Sequence, residues 1–214
     1  MKLVKILALG LTVALLSVPA MAADEVEATE HVLVKTNLGE FVLALDGNKA
    51  PQTVENFLAY VDSGFYKNTI FHRVISGFMI QAGGYDSKFQ RKDTRAMIKN
   101  EADNGLSNRR ATIAMARTFE AHSATSQFFI NIVDNHFLNY KSPAPGDAGY
   151  AVFGKVVAGM DVVDQIAQLQ TGPGGDFAKD VPLTLVIIEQ MQRTQAPVVS
   201  SETVSPNSPT NKGK

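Results

Sequence analysis

Between Phe71 and Gln81 the chain reads Phe71-His72-Arg73-Val74-Ile75-Ser76-Gly77-Phe78-Met79-Ile80-Gln81, and here residue types and spacing point most directly to chemistry. One arginine stands on a strand-forming run, Ser76-Gly77 supplies a short turn, and the chain returns with a phenylalanine, a methionine and a glutamine. Side chains alternate across a strand, so the returning segment is expected to send Phe78, Ile80 and Ala82 to one face and Met79 and Gln81 to the other. By the same rule His72 points away from Arg73 and reads as structural. A fixed cation beside apolar side chains can hold a proline ring and reach its amide. A second block, Ser126-Gln127-Phe128-Phe129-Ile130-Asn131, follows farther along the chain.

Other chemistries find little footing. There is no cysteine, which excludes thiol nucleophiles and thiolate metal sites and leaves packing, not disulfides, to stabilise the fold. His31, His72, His122 and His136 show neither H-x-x-x-H nor H-E-x-x-H spacing, so no metal site is expected. Ser123 and Ser126 lack the G-x-S-x-G elbow of a hydrolase. Gly172-Pro173-Gly174-Gly175 is not followed by Gly-Lys-Ser/Thr, so it reads as a turn and not as a phosphate loop. A formal net charge of −1 argues against a general electrostatic role on nucleic acid or an anionic membrane. No cofactor is expected.

In order and spacing, the two blocks resemble the active-site signature of the cyclophilins, the peptidyl-prolyl cis/trans isomerases, and the resemblance extends over nearly all of the segment from His31 to Gln190. It implies roles position by position. Arg73 matches the catalytic arginine, and Gln81 the residue that hydrogen-bonds substrate backbone and helps hold that arginine. Phe78, Met79, Phe129 and Leu138 match the pocket for the proline ring. Ala116 and Arg117, in Met115-Ala116-Arg117, match a Met-Ala-Asn strand whose backbone pairs with the peptide, and Gln127 matches another groove residue. Two positions depart from the pattern: Phe137 stands where the family frequently carries tryptophan, and Tyr150 where a histidine is common. Phenylalanine keeps the apolar wall but lacks the indole N–H donor, so activity is expected together with weak binding of cyclosporin-type inhibitors. Tyrosine can still close the pocket with a polar tip.

Turning an X-Pro bond needs no nucleophile, metal or proton shuttle, because no bond is made or broken. The obstacle is amide resonance, a barrier of about 18–20 kcal/mol. A cation that donates a hydrogen bond to the proline nitrogen favours the twisted state, in which the nitrogen lone pair is free. Arginine suits this because it is always charged and its planar fork can be held in one orientation.

The elements that must position these residues are legible in outline. His31–Thr36 and Glu40–Leu45 read as a hairpin joined by Asn37-Leu38-Gly39. Pro51 opens a helix that Gly64 closes; Val54, Phe57, Leu58 and Val61 form its apolar stripe, with Glu55, Asn56 and Asp62 on the other side. Strands are expected over 70–74, 78–82, 112–116, 127–132, 152–157 and 183–191. A second helix starts near Gly159 and turns Met160, Val163, Ile166 and Ala167 inward, and 171–175 is a loop. Many short strands with two helices argue an all-β barrel or sandwich. The cyclophilin resemblance narrows this to a closed eight-stranded antiparallel barrel with two capping α-helices. The long stretch from Gly83 to Arg110 carries turn residues and is expected to wall the groove.

The ends read differently. Lys2 and Lys5, an apolar run from Ile6 to Leu16, and Ala20-Met21-Ala22 have the layout of a signal peptide cleaved after Ala22. A membrane anchor needs roughly 17–25 apolar residues, and Pro19 interrupts the run before that length. The expected organisation is a signal peptide over 1–22, a short extension over 23–28, one isomerase domain over 29–193, and a disordered Ser/Thr/Pro-rich tail over 194–214. The Phe137 and Tyr150 replacements occur together in exported bacterial cyclophilins, which with the leader points to the periplasm. The expected partners are proline-containing unfolded or partly folded polypeptides, with no nucleic acid, no stable membrane anchoring and a monomeric state. The competing reading is a proline-peptide-binding module or holdase chaperone that keeps the fold without relevant catalysis.

Overall fold

The computed structural model describes residues 29–144 and 146–196. The expected signal peptide, the extension over 23–28 and the tail beyond residue 196 lie outside the described residues. Along the chain come β1 (Thr29–Thr36), β2 (Gly39–Asp46), α1 (Pro51–Asp62), β3 (Thr69–Ile70), β4 (Arg73–Ile75), β5 (Met79–Ala82), β6 (Thr112–Met115) and β7 (Phe128–Asn131). A 3₁₀ turn (His136–Leu138), β8 (Val152–Ala158), α2 (Met160–Ala167), β9 (Thr171–Gly174), β10 (Phe177–Pro182) and β11 (Ile187–Thr194) follow.

Nine strands form one antiparallel sheet in the order β3-β11-β1-β2-β8-β6-β7-β5-β4. Its two edges, β3 and β4, are consecutive in sequence and separated by only Phe71 and His72. The sheet therefore curls until its ends are joined by one kinked run, and counting β3 and β4 as one broken strand recovers the expected eight. The break has a function in pairing: β3 bonds to β11, whereas β4 bonds to β5 on the other edge.

The hairpin of β1 and β2 follows from alternation. Val32 and Val34 on β1 and Phe41, Leu43 and Leu45 on β2 are all buried in the same core. Helix α1 starts at Pro51, whose missing N–H costs nothing at a first turn, and its N-terminal amides are capped from a distance. Glu101 accepts hydrogen bonds from the backbone N–H of Gln52 (3.2 Å) and Thr53 (2.8 Å) and from the Thr53 hydroxyl (2.7 Å). After Ser63, Gly64 at φ +68° takes the left-handed conformation that ends the helix. Asn56, expected on the solvent side, is instead buried, and its amide donates to the Thr125 carbonyl at 2.7 Å. A buried donor with a partner is cheap, so a polar residue on the apolar side is tolerated.

Phe57 of α1 meets Tyr66, Phe128 and Phe153 at ring-centroid distances of 5.3, 5.6 and 5.2 Å, and Val163 and Ile166 of α2 enter the same core. Each such buried side chain is worth roughly 1.5–3 kcal/mol. Two further expectations are corrected. The stretch from Thr171 is strand β9, paired with β10, because Gly175 at φ +53° allows a tight hairpin. The last strand begins at Ile187 and ends at Thr194, not over 183–191. Most of the stretch from Gly83 to Arg110 is irregular, although Tyr85 bridges Arg91 and Ile98 bridges Ala124. Among the described residues no helix is long and apolar enough to cross a membrane.

Candidate active site

Strand pairing brings the chemistry-bearing residues together. In the β4–β5 ladder Arg73 stands opposite Gln81, and in the β5–β7 ladder Gln81 stands opposite Phe129. Arg73, Gln81 and Phe129 therefore form one row across three neighbouring strands. Arg73 Nη1 donates to Gln81 Oε1 at 3.4 Å, and Gln81 Nε2 donates to Gln127 Oε1 at 2.9 Å. This chain of bonds orients the Gln81 amide so that its oxygen faces the guanidinium.

Around that row lies a cleft of about 340 Å³. Ten of the residues singled out from the sequence line it: Arg73, Gln81, Phe78, Met79, Ala116, Arg117, Gln127, Phe129, Leu138 and Tyr150. Met79 and Phe129 are buried at its floor with Ala114 and Val152, and Phe78, Leu138 and Tyr150 pack on them at the rim. A larger depression of about 440 Å³, with Asp46, Arg109 and Lys155 in its lining, contains none of those ten.

Phe78 reaches the cleft by a route that alternation did not foresee. It was expected on the face opposite Met79, yet the strand begins only at Met79. Phe78 still belongs to the turn that Gly77 makes at φ +69°, so the period of two does not apply to it. Phe137 lies outside the cleft lining: it is 64% exposed and stacks on the outer side of Phe78 at 5.6 Å.

Three buried asparagines fix the walls. Asn135 Nδ2 donates to the Phe78 carbonyl (2.9 Å) and to Asn131 Oδ1 (2.8 Å). Asn131 Nδ2 donates to Asn108 Oδ1 at 3.1 Å, and Asn108 Nδ2 lies 3.3 Å from the carbonyls of both Leu138 and Tyr150. One network thus ties down the backbone at Phe78, Leu138 and Tyr150, three rim residues from three separate segments. The loop leading into it contributes Asn100 and Asn104, which donate to the carbonyls of Ala148 and Val152.

Arg117 is occupied with its own chain. Its Nε donates to the Gly149 carbonyl (2.8 Å), its Nη1 to the Thr118 carbonyl (2.9 Å), and its guanidinium lies 4.6 Å from the Tyr150 ring centre. It braces Tyr150, whose ring also meets Phe129 edge-on at 5.6 Å. The Ala116 N–H is committed to the Gln127 carbonyl at 2.9 Å.

Sequence reasoning missed one wall. His72 was expected to point away from Arg73 as part of the same strand, but it lies in the break between β3 and β4 and lines the cleft with Tyr85 and Phe177. The His72 ring is buried, 4.8 Å from Tyr85 and 5.3 Å from Phe177. Burial, helped by the neighbouring Arg73 charge, pushes its pKa down to about 4, so the ring is neutral at physiological pH. Phe177 comes from the β9–β10 hairpin, which carried no period-two signal in the sequence. The same hairpin sets Asp180 Oδ2 4.0 Å from Arg73 Nε.

Comparison with known proteins agrees over the whole folded region. Residues 31–193 match the family model described as cyclophilin type peptidyl-prolyl cis-trans isomerase/CLD. The chain is 54% identical over 171 residues to peptidyl-prolyl cis-trans isomerase A of Dickeya dadantii, covering 80% of this chain and 86% of that one. It is 55% identical over 160 residues to peptidyl-prolyl cis-trans isomerase B of Escherichia coli, covering 75% and 97%. A crystal structure of a cyclophilin type peptidyl-prolyl cis-trans isomerase from Cryptosporidium parvum superposes with a TM-score of 0.63 at 27% identity, covering 79% of this chain and 99% of that one.

Proposed function

The chain belongs to the cyclophilin-type peptidyl-prolyl cis-trans isomerase family and is an enzyme of that activity, and from this premise we propose how and where it works. Arg73 is the catalytic residue. Its guanidinium donates to the proline nitrogen as the amide twists, when the lone pair is no longer conjugated. A charge-assisted hydrogen bond contributes roughly 1.5–3 kcal/mol, which is about ten- to a hundredfold in rate. The bond accelerates exchange only because it is stronger in the twisted state than in either planar state. Gln81, held by Gln127, orients Arg73 and bonds to substrate backbone. Phe78, Met79, Phe129 and Leu138 hold the ring, Tyr150 closes the pocket, and the Ala116–Arg117 segment lies along the peptide.

The observation that carries this reading is a guanidinium held by Gln81 at the edge of a floor built from Met79 and Phe129. The substrates are proline-containing unfolded or partly folded polypeptides. Residues 1–22 are a cleaved signal peptide, and the enzyme acts as a monomer on exported proteins in the periplasm. With Phe137 outside the cleft and no indole donor there, cyclosporin-type inhibitors bind weakly.

The test is a coupled kinetic assay on a short X-Pro peptide, using the protein that begins at Ala23 and its Arg73→Ala variant. The parent accelerates exchange, and R73A loses at least about tenfold in kcat/KM with its circular dichroism unchanged. Equal activity in R73A contradicts the role of Arg73. Absence of acceleration with retained binding of the peptide makes the cleft a binding module. The export claim is checked by the mass of the protein recovered from the periplasmic fraction, which should begin at Ala23.

A further inference from the structure

An arginine that must meet one atom of a twisted amide has to be held on more than one side. Its long side chain carries rotamer entropy that a single contact does not remove. Gln81 provides one side, through Nη1. On the other, Asp180 Oδ2 lies 4.0 Å from Nε, on a residue whose side chain is 22% exposed against 42% for Arg73. Among the described residues Nη2 makes no hydrogen bond, so the group left over is at the end of the fork, where a substrate amide can reach it.

The position of Asp180 is not incidental to the hairpin that carries it. Strand β10 packs against β4, the strand of Arg73. Its pairing with β9 is regular at Phe177 and at Val181–Pro182 but slips in between, and Asp180 sits in the slip at φ +68°. A non-glycine residue in this region is strained and persists where the surroundings over-determine it. Aspartate is among the residues that tolerate it best. Phe177, three positions earlier, is anchored between Tyr85 (5.0 Å) and His72 (5.3 Å), so the hairpin cannot swing freely away from the cleft.

We infer that Asp180 is a positioning residue for Arg73, clamping the guanidinium from the Nε side while Gln81 clamps it from Nη1. The inference rests on the reading of Arg73 above as the catalytic group. The clamp acts on the orientation of the arginine and not on substrate affinity, so its loss appears in kcat with KM little changed.

Asp180→Asn removes the charge while keeping the size and the tolerance of positive φ, and Asp180→Gly removes the side chain at no backbone cost. Each is made in the parent and in R73A, and kcat and KM are measured on the same X-Pro peptide, with raised enzyme concentration for the R73A pair. A part-exposed pair of this kind is worth up to about fivefold. D180G is expected to lower kcat about three- to fivefold and D180N about two- to threefold, with KM unchanged. Neither is expected to lower the residual activity of R73A further. Loss by the same factor in both backgrounds, or full activity of either variant in the parent, overturns the inference while leaving Arg73 in its role. Full activity of R73A itself overturns the reading of Arg73 and the clamp together.

Discussion

His72 makes stability depend on pH in a way that one substitution isolates. The ring is 2% exposed, lies against Tyr85 and Phe177, and has an Nδ1 without a hydrogen-bond partner. Its pKa falls from an ordinary 6.5 to about 4, mainly through burial. The unfolded chain protonates this residue near pH 6.5, whereas the folded protein keeps it neutral until about pH 4. Below pH 6.5 the unfolded state therefore binds the extra proton, and stability falls by about 1.4 kcal/mol per pH unit. The loss levels off near pH 4 at about 3 kcal/mol, within the range that unfolds a marginal domain. His72→Phe keeps a ring between Tyr85 and Phe177 and removes the titration. Urea denaturation of both proteins at intervals from about pH 7.5 down to about pH 4 gives the difference in unfolding free energy, in which the carboxylates common to both cancel. That difference should be constant above pH 7 and shift in favour of the variant as the pH falls. A difference that stays flat across the window refutes the reasoning, because it means that His72 titrates alike in both states.

Two other substitutions report on the walls of the cleft. Asn135→Ala removes the donor to the Phe78 carbonyl and to Asn131 Oδ1, and leaving buried acceptors unpaired costs about 1–3 kcal/mol. Thermal unfolding should show that loss, and peptide kinetics should show a raised KM because Phe78 is no longer fixed. Phe137→Trp places an indole N–H beside Phe78, and calorimetric titration should show cyclosporin-type ligands binding roughly two- to tenfold more tightly, the worth of one neutral hydrogen bond.

What could be read from the sequence was whatever depended on local periodicity. The hairpin of β1 and β2 and the core face of α1 follow from alternation or from a helical stripe, whereas the roles of Arg73, Gln81 and Phe129 came from the family resemblance and only cross-strand register sets them in one row. Periodicity failed where the chain leaves a regular element. Phe78 still lies in a turn, and His72 sits in the break that lets one run of chain pair with both edges of the sheet. Asn56 was misassigned because a polar side chain can take a core position when a distant carbonyl, here Thr125, accepts its hydrogen bond. The β9–β10 hairpin was illegible for a different reason. Its run Gly172-Pro173-Gly174-Gly175 carries turn signals, and only contact with β4 reveals that Phe177 and Asp180 face the site.

The central claim is that Arg73 acts on the rotating bond and not on binding. NMR exchange spectroscopy on an X-Pro peptide at saturating protein measures the cis–trans rate within the complex directly. The parent should interconvert the bound peptide far faster than the tens of seconds or more of free exchange, and R73A should bind it comparably while slowing that bound-state rate by about ten- to a hundredfold. Equal bound-state rates in the two proteins would contradict the account.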